Sequence, residues 1–264
     1  MIVQVYEIQT PAEAHTMIEL GVDHIGSVIV SETEWKIPEL KDTLECVRSS
    51  PARSSLIPLF NTPDSVFRIL DYYRPNIIHF CEALTDQPEL KIYSQRLIRL
   101  QQEVKTQFPE VKIMRSIPIA RSGAANSIFS LEIAEWFEPF SDFFLTDTVL
   151  VNPSGTAMDD QPVMGFVGIT GQTCNWDTAG RLAASSHVPV ILAGGISPAN
   201  VSEGIARVRP AGVDSCTLTN ARDENGSPIR FKKDLQKVKL LVDAVREAEE
   251  ALTRSEVQGS RVQD

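Results

Sequence analysis

A pair of glycines, Gly194 and Gly195, lies between a short apolar run and a helix-start signal. The apolar residues within 188–192 are typical of a parallel strand that is buried on both faces. Ser197 can cap a helix whose first residue is Pro198. Backbone N–H groups at such a strand-to-helix turn converge on an anion, usually a phosphate. The segment therefore indicates either a phosphate site or a tight turn that needs glycine for its backbone angles.

The composition narrows the class of protein. The chain has 264 residues, 42% of them hydrophobic, and a formal net charge of −10, which argues against nucleic acid or an anionic membrane as the main partner. The N-terminus lacks the basic flank of a signal peptide, so we expect a cytoplasmic protein. Structural zinc and a disulfide framework are not expected, because the four cysteines are scattered without C-x-x-C spacing. They are Cys46, Cys81, Cys174 and Cys216.

Strand-like and helix-like segments alternate along the whole chain, which predicts an α/β protein with a parallel sheet, either open and doubly wound or closed. Two observations favour a closed (β/α)8 TIM barrel. No G-x-G-x-x-G follows the first strand, and the glycine pair falls where the second-to-last strand of a barrel ends, a common place for a phosphate site. The candidate strands are 2–8, 24–29, 56–60, 77–80, 112–117, 142–146, 163–168, 188–193 and 212–217, and the candidate helices include 11–20, 63–73, 89–107 and 232–250.

Nine candidate strands exceed the eight places of a barrel, and 163–168 is the weakest of them. The segment 147–176 is rich in Gly, Asp, Pro and Thr and is expected to be a mobile loop over one face of the barrel. No linker divides the chain. We therefore expect a single phosphate-binding barrel over 1–250 and a flexible C-terminal tail over 251–264.

Several strings resemble the phosphoribosylanthranilate isomerase family of the tryptophan pathway. They are FFLTD ending at Asp147, GITGQTCNW at 168–176, PVILAGGISPANV at 189–201 and RPAGVD at 209–214. The resemblance covers roughly residues 2–246 and implies the barrel fold. It also implies an Amadori rearrangement, in which a general acid opens the ribose ring and a general base removes the proton from C2.

The resemblance identifies Asp147 as the general acid, at the C-terminal end of a barrel strand. The position of the general base has changed, because Tyr6 stands where the family has a cysteine and Glu7 where it has a glycine. Tyrosine has an ordinary pKa near 10, which makes it a poor base unless that pKa is lowered. Glu7 is a base by chemistry, but neighbouring strand residues point to opposite faces unless the backbone bulges. Both Tyr6 and Glu7 stay candidates at this stage.

The resemblance also implies a set of binding residues. The family's arginine that holds the anthranilate carboxylate is missing, and Lys36 is the nearest substitute, weaker because it is a point charge. At the phosphate end, Leu218 stands where the family has a glycine, which weakens close backbone approach to a phosphate. The candidate substrate-binding residues are Lys36, Arg115, Gly171, Gly194, Gly195, Ser215 and Thr217.

Two functions of different class follow from this pattern. The first is an isomerase that interconverts an aldose and a ketose on a phosphorylated ribosyl amine, with Asp147 as its acid. The alternative is a catalytically silent or repurposed barrel that binds a different sugar phosphate. Both take a small phosphorylated sugar as partner, and neither implies a metal or an organic cofactor. The sequence leaves the oligomeric state open.

Overall fold

Eight parallel strands form a closed barrel in which each strand pairs with the next and the eighth pairs with the first, which confirms the (β/α)8 prediction. The computed structural model describes residues 1–85, 89–124, 128–152, 157–158 and 162–260. The barrel strands are β1 Ile2–Val5, β2 His24–Ile29, β3 Arg53–Pro58, β4 Ile77–Phe80, β5 Lys112–Ala120, β6 Phe143–Val149, β7 Val190–Leu192 and β8 Gly212–Ser215.

Helices surround the barrel, and proline at the first helical position starts three of them, because its fixed φ suits a helix and its missing N–H costs nothing there. The Thr10 hydroxyl accepts a hydrogen bond from the Glu13 N–H at 3.3 Å, as expected for an N-cap. The helices are α1 Pro11–Glu19, α2 Pro38–Arg48, α3 Pro63–Tyr73, α4 Leu90–Gln107, α5 Ser130–Phe137, α6 Trp176–Ser185, α7 Val201–Val208 and α8 Leu235–Ser260.

The structure corrects two boundaries near the barrel mouth. The segment 163–168 is not a barrel strand: the eight strands close without it, and among the described residues it forms just the isolated bridges of Val163 and Glu82 with Phe166. Helix α7 begins at Val201, and a turn occupies 198–200, so Pro198 is not its first residue. The Asn200 side chain explains the delay, because it accepts from the Ser197 N–H and donates to the Gly195 carbonyl, closing a turn before the helix.

A two-stranded antiparallel hairpin follows the barrel strands, formed by β9 Asn220–Arg222 and β10 Pro228–Lys233. The sequence analysis placed no strands here and started the last helix at 232, whereas α8 starts at Leu235. The hairpin lies against the C-terminal mouth of the barrel, because residues of β10 bond to residues just after β1 and β8.

Helix α8 continues to Ser260, so 251–260 belong to a helix, while 261–264 lie outside the described residues. The division into a barrel over 1–250 and a flexible tail stays a prediction. Within the described ranges, no helix combines the length and the apolar character needed to cross a membrane.

The core has two layers because successive strand residues face opposite sides of the sheet. Inside the barrel lies an apolar cluster that includes Tyr6, Met114, Leu145 and Ala193. The alternate residues pack outward under the helices, as Val3 and Val213 do beneath α1 and α8. This alternation decides which polar side chains reach the interior.

Candidate active site

An open pocket lies at the C-terminal mouth of the barrel, and its empty space, open mouth included, is about 780 Å³. That size suits a small-molecule ligand. Side chains from β2, β3, β4, β6 and β8 line it together with Tyr6 and Glu7 just after β1, and residues 166–171 of the loop after β6 cover one side. The catalytic residues of TIM barrels lie at this end, because the βα loops meet there.

Asp147 projects from β6 into this pocket. One carboxylate oxygen, Oδ1, accepts a hydrogen bond from the Thr148 N–H at 2.9 Å. The other lies against Gly168, where a Cβ would come within 2.6 Å of Oδ2, so only a glycine admits such close approach. Burial raises the pKa of Asp147 to about 7, against the lowering effect of the Thr148 hydrogen bond. Asp147 therefore holds a proton close to neutral pH.

A second carboxyl, Asp214 of β8, lines the same pocket and is 6% exposed. Its Oδ1 atom is buried and has no hydrogen-bond partner among the described residues. Burial raises the pKa of Asp214 to about 7; Gln4 lowers it by hydrogen bonding, the charge of Asp147 raises it and Lys233 lowers it. The pocket thus contains two carboxyls whose protons are held near neutral pH.

The Tyr6 hydroxyl is enclosed by hydrogen bonds beneath the pocket. It lies 2.6 Å from Ser55 Oγ and 2.7 Å from His79 Nδ1, and His79 Nε2 lies 2.9 Å from Ser116 Oγ. The ring lies over Gly26, where a Cβ would come within 2.1 Å of it. Burial raises the pKa of Tyr6 well above 10 and lowers the pKa of His79 to about 3. Both side chains are therefore neutral members of one hydrogen-bonded chain.

Glu7 lines the pocket but is tied to the hairpin. Its carboxylate accepts from Asn220 Nδ2 at 2.9 Å, from Arg230 Nε at 2.7 Å and from the Phe231 N–H at 3.2 Å. Burial works to raise the pKa of Glu7, but these hydrogen bonds and the Arg230 charge outweigh it and bring that pKa below its ordinary value. The backbone φ of Glu7 is 66°, a left-handed conformation that explains how it faces the mouth beside Tyr6.

The glycine pair forms a tight wall of the pocket. Gly194 and Gly195 have φ values of 85° and 61°. A Cβ at Gly194 would lie 2.2 Å from Thr148 Oγ1, and one at Gly195 would lie 2.5 Å from the carbonyl carbon of Gln172. The two glycines therefore form a turn whose backbone angles and close contacts need glycine. They also place backbone without side chains against the cavity, where a phosphate could bind.

The structure brings most of the predicted site residues together. Those that line the pocket are Tyr6, Glu7, Asp147, Gly171, Gly194, Gly195 and Thr217.

The other three predicted site residues lie elsewhere. Lys36 is exposed, with Nζ 5.1 Å from the centre of the Tyr72 ring. Arg115 is wholly buried outside the barrel, where it pairs with Glu82 and donates to Gln101 of α4. The expectation that Arg115 faces the site is corrected, because the inward residues of β5 are Met114 and Ser116. The Ser215 hydroxyl donates to the Ile196 carbonyl at 2.7 Å, so it braces the wall from behind.

Sequence reasoning missed two pocket residues, Asp214 and Arg230. Alternate residues of a strand face the same side of the sheet, and Asp214 lies two residues before Cys216, which also lines the pocket. This alternation could have indicated Asp214. Arg230 depends on the unpredicted hairpin. It is the one positively charged residue among the described residues that line the pocket.

Comparison with known proteins agrees with this architecture. A sequence model described as N-(5'phosphoribosyl)anthranilate (PRA) isomerase matches residues 130–244. The N-(5'-phosphoribosyl)anthranilate isomerase of Methanocella arvoryzae is 25% identical over 248 residues, which cover 90% of this chain and 94% of that protein. The chain is therefore similar to phosphoribosylanthranilate isomerases over most of its length.

Solved structures of phosphoribosylanthranilate isomerases share the fold. The crystal structure from Thermotoga maritima has a TM-score of 0.64 at 18% identity and covers 94% of this chain and 100% of that chain. A phosphoribosyl anthranilate isomerase in complex with reduced 1-(o-carboxyphenylamino)-1-deoxyribulose 5-phosphate has a TM-score of 0.63 at 18% identity, with coverage of 94% and 100%.

The residues just after β1 are those at which the family resemblance puts a cysteine and a glycine in place of Tyr6 and Glu7. The structure shows what the replacements do there: Tyr6 closes the floor of the pocket and Glu7 holds the hairpin. In the described part of the chain, no cluster of three or more His, Cys, Asp or Glu side chains is placed to hold a metal ion.

Proposed function

We propose that this protein catalyses the Amadori-type isomerisation of N-(5'-phosphoribosyl)anthranilate or a closely related phosphorylated ribosyl amine. The observation that carries the proposal is Asp147, a carboxyl that burial keeps protonated near neutral pH at the C-terminal end of β6. Similarity to phosphoribosylanthranilate isomerases supports the reaction class. A cytoplasmic location, expected from the sequence, stays a prediction.

Asp147 acts first, as general acid. Its carboxyl donates a proton to the ring oxygen of the ribose while the C1–O bond breaks and the amine lone pair forms a C1=N bond. A carboxyl whose pKa lies close to the working pH suits this role, because it is protonated in the ground state and can still release its proton. The Thr148 N–H, 2.9 Å from Oδ1, then stabilises the carboxylate that remains.

The phosphate binds at the wall formed by Gly194, Gly195 and the start of the turn at Thr217. Bare backbone and a hydroxyl supply the donors that phosphate oxygens accept. Arg230 adds a positive charge nearby: Nε donates to Glu7, while no hydrogen bond joins Nη1 or Nη2 to another of the described residues. The Arg230 guanidinium compensates in part for Leu218, which stands where the family has a glycine and weakens close backbone approach to the phosphate.

A base role for Tyr6 or Glu7 is not supported by their contacts. The Tyr6 hydroxyl stays protonated because its pKa lies well above 10, and its two neighbours occupy it. Glu7 is ionised, but Asn220, Arg230 and Phe231 already use its carboxylate oxygens. Each residue instead shapes the pocket.

The test is turnover of freshly generated phosphoribosylanthranilate, followed by loss of anthranilate fluorescence. The wild type should turn over, and Asp147→Asn should lower kcat by about 10²–10⁴-fold, the usual contribution of a general acid. Asp243→Asn is the matched control, since Asp243 pairs with Lys239 on the exposed face of α8 and should leave turnover unchanged. Full turnover by Asp147→Asn would refute the assignment of the acid.

The second candidate function is a barrel that binds a sugar phosphate without isomerising it. The observation that favours it is the enclosed Tyr6 hydroxyl at the position where the family has its cysteine. This second function would be supported by a folded wild-type protein that binds reduced 1-(o-carboxyphenylamino)-1-deoxyribulose 5-phosphate but does not turn over phosphoribosylanthranilate.

A further inference from the structure

We infer that Asp214 is the general base of this site and removes the proton from C2 of the sugar, with Asp147 as the acid on the other side of β7. The inference rests on the proposed function and names a residue that acts in it. Asp214 was not among the residues singled out from the sequence.

The geometry places the two carboxyls on either side of a gap. β7 lies between β6 and β8 in the barrel, and adjacent strands are about 4.7–4.9 Å apart, so the two acids rise from strands roughly 9–10 Å apart. Between them, the pocket wall is made of Ala193 and Gly194, which are small enough to leave room for a ribose. Acid and base then flank the sugar, as the reaction requires.

The Asp214 carboxyl is set up for a ligand. Only 6% of its surface is exposed, it lines the pocket, and its Oδ1 has no hydrogen-bond partner. A buried carboxyl oxygen without a partner is costly and rare in a folded protein. The groups that face Asp214 are Gln4 from β1, Asp147 from β6 and Lys233 from β10, together with Tyr6 and Cys216 just beyond the ends of β1 and β8. Among the described residues, none hydrogen-bonds to Oδ1, and the proposal places a substrate atom there.

The other described titratable groups in the pocket are already occupied or held neutral. Both ring nitrogens of His79 have hydrogen-bond partners and its pKa falls to about 3. Burial raises the pKa of the Cys216 thiol to about 12 and that of Cys81 well above 9, so neither forms the thiolate a base needs. With Tyr6 and Glu7 engaged as described, Asp214 is the remaining acceptor.

The step balances with this pair. After Asp147 has opened the ring, Asp214 takes the C2 proton as a carboxylate. The electron pair of the C2–H bond forms a C1=C2 bond, and the π electrons of C1=N return to nitrogen. The resulting enolamine becomes the ketone when the C2 hydroxyl loses its proton and C1 gains one, which protonated Asp214 can return. No oxidant or cofactor takes part.

Two carboxyls in one pocket can provide the acid and the base of the reaction at the same pH. The charge of Asp147 raises the pKa of Asp214, and the pKa of each carboxyl lies at about 7, so one can be protonated while the other is ionised near neutral pH. We therefore expect a bell-shaped dependence of kcat/KM on pH, whose acidic limb reports the base.

The test compares Asp214→Asn with the wild type and with the Asp243→Asn control. Asparagine mimics the protonated acid, so the variant should fold. Its kcat/KM should fall by about 10²–10⁴-fold, while binding of reduced 1-(o-carboxyphenylamino)-1-deoxyribulose 5-phosphate changes little. Two further readouts separate a base from a structural residue: the acidic limb of the pH profile should disappear, and the isotope effect with C2-deuterated substrate should exceed that of the wild type.

Asp214→Glu keeps a carboxylate at this position and should retain more turnover than Asp214→Asn. It also provides a second test if the asparagine variant does not fold. Turnover by Asp214→Asn within about threefold of an active wild type would overturn the assignment of Asp214 and leave the proposed function intact. A wild type without turnover would overturn both, and so the two failures are distinguishable.

Discussion

Replacing Tyr6 by phenylalanine removes a single hydroxyl from the floor of the pocket and tests whether that hydroxyl is structural or catalytic. The hydroxyl lies between Ser55 Oγ and His79 Nδ1, at 2.6 and 2.7 Å. The ring itself keeps its place over Gly26, because phenylalanine has the same shape. The perturbation is therefore confined to hydrogen bonding.

The expected loss of stability follows from what the change leaves behind. Ser55 and His79 are 0% and 2% exposed, so water does not replace the missing partner. Leaving a buried polar group unsatisfied costs about 1–3 kcal/mol. At about 2–4 °C per kcal/mol for a domain of this size, the melting temperature should fall by about 2–12 °C.

Urea unfolding measures the stability and the fluorescence assay measures turnover. Tyr73→Phe is the matched control, because its hydroxyl also bridges two partners, donating to the Trp35 carbonyl at 2.6 Å and accepting from the Ile37 N–H at 2.9 Å, away from the pocket. Both variants should lose stability and keep turnover within about threefold. A Tyr6→Phe protein with unchanged stability and turnover reduced more than about 100-fold, the scale of a lost base, would refute our interpretation of Tyr6.

Two further changes probe the mouth of the pocket. Gly195→Ala forces a Cβ to within 2.5 Å of the Gln172 carbonyl carbon and should lower the melting temperature. Gly123→Ala is the control, because Gly123 has a similar φ of 77° but a Cβ there would meet no described atom within 4 Å. Equal losses in the two variants would show that the pocket wall can move to admit the Cβ. The pKa of Glu7 lies below its ordinary value of about 4.3, so its charge stabilises the fold fully above that pH and loses this effect as the pH falls through the lowered pKa. In urea titrations, the deficit of Glu7→Gln relative to the wild type should therefore be greatest near pH 6 and shrink below pH of about 4; a deficit independent of pH would contradict the ion pair with Arg230.

The features that could be predicted from the sequence depend on patterns among neighbouring residues. The alternation of strands and helices, the glycine pair and Asp147 at a strand end need only neighbouring residues and their periodicity. Arg115 failed because its direction depends on the register of β5 in the closed barrel, which places its guanidinium against Gln101 of α4. The hairpin was missed although 223–227 is rich in turn residues, since only its second strand alternates apolar and polar residues, at 229–232, while the first, Asn220–Arg222, is short and mostly polar.

The pocket residues that sequence reasoning missed depend on contacts between distant segments. Nothing near Asp214 in the chain shows that its Oδ1 lacks a partner, because the groups around it come from β1, β6 and β10. Arg230 reaches the mouth only because Glu7, 223 residues earlier in the chain, accepts from it. Burial and long-range pairing, which raise or lower the pKa of these groups, exist only in the folded barrel.

The changes at the end of β1 are linked to one another through the structure. Glu7 adopts a left-handed backbone with φ of 66°, which costs a residue with a side chain about 1–2 kcal/mol. Its charge-assisted hydrogen bonds to the hairpin offset that cost, since bonds to charged groups contribute about 1.5–3 kcal/mol each. Asn220 and Arg230 therefore make a glutamate tolerable at this position. With Tyr6 closing the floor beside it, neither residue just after β1 is a free proton-transfer group, and the pocket carboxyls that have no hydrogen bond to the hairpin, among the described residues, are Asp147 of β6 and Asp214 of β8.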